Sequence, residues 1–176
     1  MKIGIDVSQL AYPNTGVANY LQNLVQNLIE MDKKNEYVLF FSSLRKKLPT
    51  SSFKLQNSKV QIKTFKIPPT ILNILWNKLH VLPIESLIGP VDLFITSDWT
   101  EPPVKKAKKA TILYDLIIYK YPKETAQKIV EVQKRKLEWA KKESAMFFCI
   151  SEATKKDAKE ILRIEDNRLS VASPGF

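Results

Sequence analysis

The sequence predicts an α/β domain in which a parallel β-sheet of about seven strands carries helices on both faces. Short apolar runs recur along the chain, each ending in a polar residue, as buried strands do where they leave a sheet. Between them lie stretches whose apolar residues follow helical spacing. The two kinds alternate, and parallel neighbours need a crossover, which is usually a helix. At 176 residues the whole chain is predicted to be one domain, long enough to bury about two thirds of its unfolded surface.

Residues 2–7 form the first strand, with Asp6 marking its exit. Helical spacing then links Val17, Tyr20, Leu21, Leu24, Val25 and Leu28, with Thr15 placed as N-cap and Gly16 just inside the helix. Residues 37–41 and 60–67, rich in β-branched and aromatic side chains, predict two more strands. Pro68 and Pro69 open a helical stretch with Ile71, Leu72, Leu75 and Leu79 on one side, closed by Pro83, Gly89 and Pro90. Residues 91–96 and 110–113 are short buried runs, the second ending in Tyr114 and Asp115. A longer helix is predicted between residues 123 and 143, where Ala126, Ile129, Val130, Leu137 and Ala140 make an apolar stripe against a charged face. Residues 145–150 predict a strand, Ser151 the cap of a further helix to about residue 161, and residues 169–172 a last strand. This is a Rossmann-like order of elements.

No apolar run approaches the roughly 18 to 20 residues that a membrane span needs, and the first eight residues read as a strand rather than a signal peptide. A cytoplasmic protein is the expectation. One cysteine, Cys149, rules out an internal disulfide and any cysteine-based zinc site, and its apolar surroundings predict a buried thiol. His80, the one histidine, lies in an apolar stretch without a nucleophile motif and reads as structural.

With 28 basic against 18 acidic residues, the formal charge is +10, which favours an anionic partner: nucleic acid, acidic lipid or a phosphorylated substrate. The basic residues gather at Arg45, Lys46 and Lys47, at Lys105, Lys106, Lys108 and Lys109, and along residues 134–142. Most are predicted to lie on solvated faces. The first two clusters could also rest on anionic membrane. The aromatics make no RNP-like pattern, so nucleic acid is not a predicted partner.

Ligands of parallel sheets gather beyond the carboxyl ends of the strands. The residues leaving each predicted strand there are Asp6 and Ser8, then Ser97, Asp98, Trp99 and Thr100, then Tyr114 and Asp115, then Ser151 and Glu152. They read either as turn formers and helix caps or as one polar rim; Asp115 is predicted to be buried behind its strand. Gly16, flanked by Thr15, leaves the first helix open to close approach by a phosphate or sugar. Neither the dinucleotide fingerprint nor the Walker pattern is present.

Several segments in this order resemble the amino-terminal domain of family 4 glycosyltransferases, which have the GT-B fold: Ile3-Gly4-Ile5-Asp6, Thr15-Gly16-Val17-Ala18-Asn19-Tyr20, Asp92-Leu93-Phe94, Tyr114-Asp115-Leu116 with Tyr121-Pro122, Cys149-Ile150-Ser151-Glu152-Ala153-Thr154, and Leu169-Ser170-Val171 with Pro174-Gly175. The resemblance covers essentially the whole chain. It implies that residues 1–176 are the acceptor-side half of an enzyme, without the carboxy-terminal donor-binding half and its E-x7-E pair, and inactive alone. The implied reaction moves a sugar from a nucleotide-sugar donor to a saccharide or lipid-linked acceptor, with retention, and with no metal or other cofactor. The resemblance sets Gly16 near the donor phosphates. It places Tyr114 and Asp115 at the family's acceptor and donor-sugar site, where they are the expected catalytic residues; the expected substrate-binding residues are Thr15 and Gly16, from the glycine loop, and Asp98, Trp99, Ser151 and Glu152, from the strand exits. Tyr114 stands where the family commonly has histidine, which implies a different acceptor geometry, a different sugar or a loss of activity. A non-catalytic module that captures an anionic ligand is the alternative reading.

Overall fold

The structure is a computed structural model that describes residues 1–48 and 59–174; Gly175, of the Pro174-Gly175 pair in the resemblance, and Phe176 lie outside the described residues. The chain opens with β1 (Lys2–Asp6), a 3₁₀ turn (Ser8–Ala11), α1 (Gly16–Met31), β2 (Glu36–Ser42) and β3 (Val60–Phe65). Next come α2 (Pro69–Leu72), a π-helical turn (Asn73–Lys78), α3 (Glu85–Ile88), β4 (Leu93–Thr96), β5 (Lys108–Leu113), α4 (Ile117–Lys120) and a 3₁₀ turn (Pro122–Glu124). The chain continues with α5 (Gln127–Glu143), β6 (Ser144–Cys149), α6 (Glu152–Ile161), a 3₁₀ turn (Asp166–Arg168) and β7 (Leu169–Val171). The seven strands form one sheet in the order β3-β2-β1-β4-β5-β6-β7, and every pairing is parallel. The expected parallel Rossmann-like sheet is therefore present.

Period-two alternation along the strands sends successive side chains to opposite faces. Ile3, Ile5, Tyr37, Leu39, Phe41, Ile95 and Ile112 pack with Ala18, Leu21, Val25 and Ile29 of α1. Their neighbours Val38, Phe40 and Phe94 pack instead with Leu72, Trp76, Ile84 and Ile88. Beyond β5, Leu113, Phe147 and Cys149 pack with Val130, Leu137 and Ala140 of α5 and Ala158 of α6. Both faces are thus covered, and Cys149 is fully buried as expected. At Gly4, opposite Phe94 in the register, an added Cβ would come within 2.6 Å of the Phe94 ring and 3.0 Å of Ile88 Cδ1, so only glycine lets β1 sit this close to that layer.

Both expected caps are formed. Thr15 Oγ1 accepts from Ala18 N at 3.2 Å, and Ser151 Oγ accepts from Thr154 N at 3.1 Å. The long helix starts at Gln127, not near residue 123, because Thr125 is extended after the 3₁₀ turn and Ala126, with ψ 130°, is not yet helical. On that helix Val130, Leu137 and Ala140 are buried as expected, whereas Ala126 and Ile129 of the expected stripe are exposed.

The stripe Ile71, Leu72, Leu75 and Leu79 needs a second correction. After one α turn the chain widens into the π turn, so the inward positions become Leu72, Trp76 and Asn77, while Ile71 and Leu79 are exposed. Burial of the Trp76 ring 5.6 Å from Phe40 and of the Asn77 amide against the loop after β4 stabilises this register over the regular one. Left-handed backbone at His80 and Leu82 ends the segment.

Candidate functional site

From β1 the chain builds β2 and β3 on one side and then crosses to β4 on the other, so the strand order reverses between β1 and β4. At such a switch point the connections after the two strands diverge and leave a crevice beyond their carboxyl ends. A cleft of about 510 Å³ lies there. Asp6 at the end of β1, Ser8, Gln9 and Tyr12 after it, and Thr15 and Val17 from the start of α1 form one side; Asp98, Trp99 and Thr100 after β4, Ser42 at the end of β2, Ser43 after it, and Pro69 and Leu72 of α2 complete it. No lysine or arginine is among these lining residues.

Asp6 is buried, and its Oδ1 accepts from Ser8 N at 2.9 Å. Burial raises its carboxyl above the usual value, opposed by the Ser8 hydrogen bonds and the positive charge of Lys136. The loop carrying Asp98, Trp99 and Thr100 is gripped from behind. Asn77 Nδ2 donates to the Trp99 carbonyl at 2.9 Å, Asn77 Oδ1 accepts from Glu101 N at 3.0 Å, and Gln133 Nε2 donates at 3.2 Å to both the Asp98 carbonyl and Oδ1. Burial also raises the Asp98 carboxyl, opposed by Lys136 and Gln133.

Behind that loop lies a polar network that the sequence reading missed. Glu101, Lys109 and Lys136 are all essentially without solvent exposure. Lys109 Nζ lies 3.0 Å from Glu101 Oε1 and 2.7 Å from Glu143 Oε2, and donates to the Pro102 carbonyl at 3.0 Å. Thr96 and Thr111 donate to the Glu101 carboxylate at 2.8 and 3.2 Å. Lys136 Nζ is 3.8 Å from Glu101 Oε2, and burial lowers its ammonium below the usual lysine range despite the nearby carboxylates of Glu101, Asp98 and Asp6. Most of the clustered basic residues are solvated as expected; Lys109 and Lys136 are exceptions, tolerated inside because buried carboxylates compensate them. One signal was available: Lys136 precedes Ala140 by four residues and so shares the inward side of its helix.

His80 is structural as expected. Its ring stacks on Trp139 with centroids 3.6 Å apart, Nδ1 meets the Trp76 carbonyl at 2.8 Å and Nε2 meets Glu143 at 2.7 Å.

The expected site residues divide into three groups. Thr15, Asp98 and Trp99 line the main cleft; Gly16 lies between the lining residues Thr15 and Val17, and a Cβ there would meet nothing within 4 Å. Tyr114 and Asp115 instead border a smaller cavity of about 40 Å³, which Asp98 shares with Gln133 and Lys136. Tyr114 is buried edge-on against Tyr20 at 5.6 Å, its hydroxyl is 3.1 Å from Ser97 Oγ, and burial pushes its phenol far above the usual range. Asp115 is exposed rather than buried, because the chain turns outward there and its Oδ1 accepts from Ile117 N at 3.1 Å. Ser151 and Glu152 start α6 and line neither cavity. Ser42 and Ser43 were legible by the strand-exit rule, since they follow the run that ends at Phe41.

The two basic clusters do not share an edge of the sheet. Arg45, Lys46 and Lys47 follow β2 at the carboxyl edge, whereas Lys105, Lys106 and Lys108 precede or open β5 at the amino edge. Among the described residues no helix is long and apolar enough to cross a membrane. No protein-family model matches the chain, and no curated protein matches it. Fold and geometry define an α/β protein of the Rossmann-like class with an open cleft at its switch point.

Proposed function

We propose that the chain is the acceptor-side half of a GT-B-type glycosyltransferase of the family 4 type, and that the switch-point cleft holds the saccharide acceptor. The observation that carries this reading is the lining. Two carboxylates, Asp6 and Asp98, the hydroxyls of Ser8, Thr15, Ser43 and Thr100, and two aromatic residues, Tyr12 and Trp99, surround one volume. Carboxylates accept hydrogen bonds from vicinal sugar hydroxyls, and charge-assisted bonds of this kind are about twice as strong as neutral ones. Aromatic rings supply rigid apolar surface for the faces of a pyranose. An anionic ligand is less well served, because no basic residue lines the cleft.

In this reading Asp6 and Asp98 orient the acceptor, and the raised proton affinity of Asp98 suits it to assist removal of the proton from the attacking hydroxyl. Transfer breaks the bond between the anomeric carbon and the donor phosphate oxygen and forms one to the acceptor oxygen. The free N–H groups at the start of α1, beside Gly16, face the donor phosphates, which a second α/β domain would present. Tyr114, which borders the smaller cavity behind Asp98, takes no proton in this scheme. The test is transfer from a panel of nucleotide sugars by the longest natural chain containing this sequence. Loss of at least tenfold in kcat/KM for Asp98→Asn and Trp99→Ala is expected; a chain that neither binds saccharides nor turns over any nucleotide sugar overturns the proposal.

A further inference from the structure

A lysine stands against the main cleft without lining it. Lys46 belongs to the exposed run Arg45, Lys46 and Lys47, which follows β2 at the carboxyl edge of the sheet. Two contacts fix it there: its Nζ lies 4.7 Å over the Tyr12 ring, and its backbone N–H donates to Ser43 Oγ at 3.1 Å. Tyr12 and Ser43 are both walls of the cleft, so the ammonium is held at that rim. Arg45 and Lys47 make no hydrogen bond or ring contact to a lining residue among the described residues. None of the three cations forms an ion pair among the described residues, and the sequence from residue 49 to residue 58 contains no Asp or Glu. Adjacent cations without an acidic partner attract an anion.

We propose that the saccharide bound in the cleft is anionic: its ring lies among the cleft residues, and a carboxylate or phosphate group on it meets Lys46 at the rim formed by Tyr12 and Ser43. The inference rests on the saccharide reading above and names the chemical class of the acceptor. Charge decides the placement. Asp6 and Asp98 would repel an anionic group seated between them, whereas they suit the hydroxyls of the ring. At the rim a cation stands instead, next to Ser43, whose Oγ receives the Lys46 N–H and whose own O–H finds no acceptor among the described residues. That hydroxyl can donate to the same anion. A cation over an exposed ring is held by a factor of only roughly two to five, so the ammonium can leave Tyr12 for a stronger, charge-assisted bond to the ligand.

The experiment is calorimetric titration of the chain with glucose, galactose and mannose, each beside its uronate and beside the phosphate ester of its primary hydroxyl. For at least one sugar an anionic form should bind about fivefold or more tighter than the neutral sugar, the factor that one well-placed exposed ion pair supplies, and the gain should shrink as salt is raised. Whether the uronate or the ester gains more tells which anion the rim takes. Lys46→Gln, at an exposed position, should bring the ratio of the two affinities down to about one. Lys47→Gln removes the same charge from the same run and should leave most of the ratio in place. A ratio at or below one in the parent chain, or one that Lys47→Gln lowers as much as Lys46→Gln, overturns the rim site and leaves the saccharide cleft standing. Inorganic phosphate that binds as tightly as the ester overturns it too, because the anion then needs no sugar. Cosedimentation with phosphatidylglycerol vesicles that Lys46→Gln abolishes, together with a ratio near one, assigns the run to an anionic lipid surface and overturns the inference. Failure of every saccharide to bind overturns the saccharide reading itself.

Discussion

Asn77 grips Trp99: its Nδ2 donates to the Trp99 carbonyl at 2.9 Å, while its Oδ1 accepts from Glu101 N at 3.0 Å. Asn77 reaches that loop because the π turn brings it inward beside Trp76, and π turns often mark functional positions. Asn77→Asp keeps the acceptor and removes the donor, setting a carboxylate oxygen against a carbonyl. It should cost about 1–3 kcal/mol of stability in urea denaturation and weaken binding in the cleft whose wall the loop forms. Unchanged stability would show that the Trp99 carbonyl needs no donor.

The two buried lysines should differ. Lys109→Met removes the partner of Glu101 and Glu143 together and should destabilise by about 3–5 kcal/mol, because it leaves carboxylate charge uncompensated in the interior. Lys136→Met should cost less than about 1.5 kcal/mol, since Glu101 keeps Lys109 and two threonine hydroxyls at shorter distances. Equal losses in denaturant midpoints, or a larger loss for Lys136→Met, would refute this ranking.

Asp6 should be a liability for folding that serves the cleft. Burial raises its carboxyl in the folded state above the ordinary value of 3.8. The folded protein therefore holds the proton more tightly, and stability falls as pH rises from that value through the raised one. Asp6→Asn retains an acceptor for Ser8 N and removes the charge. It should raise the melting temperature at pH 7, with the gain vanishing as pH falls below about 3.8, and under the proposed function it should weaken saccharide binding. A variant less stable than the parent at neutral pH would refute the sign.

Two glycines of similar appearance in the sequence should respond oppositely. Gly4→Ala drives a Cβ to 2.6 Å from Phe94, and overpacking of this kind costs about 1–3 kcal/mol. Gly16→Ala meets open space in the first turn of α1 and should be neutral or stabilising by up to about 1 kcal/mol. Gly16→Val should likewise fold, so under the proposed function any loss of transfer by a longer natural chain would report blocked approach to the helix start rather than unfolding. Thermal melts of the three variants make the comparison.

Much of the fold was legible because its determinants are local. Apolar runs with polar exits and the caps Thr15 and Ser151 depend on neighbours within a few residues, and they stand where expected; helical spacing placed α1 but not the register after Pro69 or the start of α5. The strand-exit rule likewise brought Asp6, Ser8, Asp98, Trp99 and Thr100 into view, all of which line the cleft. It erred for Asp115, since a strand end does not reveal whether the next backbone turns toward the core or toward water.

The sequence by itself determined the alternation of strands and helices, and with it the parallel sheet and the edge where polar residues collect. Tertiary structure decided the rest: that Lys109 and Lys136 are interior charges, that a π turn replaces an α turn at Asn73–Lys78, and that Asp98 faces two cavities while Ser151 faces neither. The reason is the range of the interactions. A buried lysine is tolerated only where a carboxylate waits, and Glu101 meets Lys136 across a sequence separation that no helical or strand period spans.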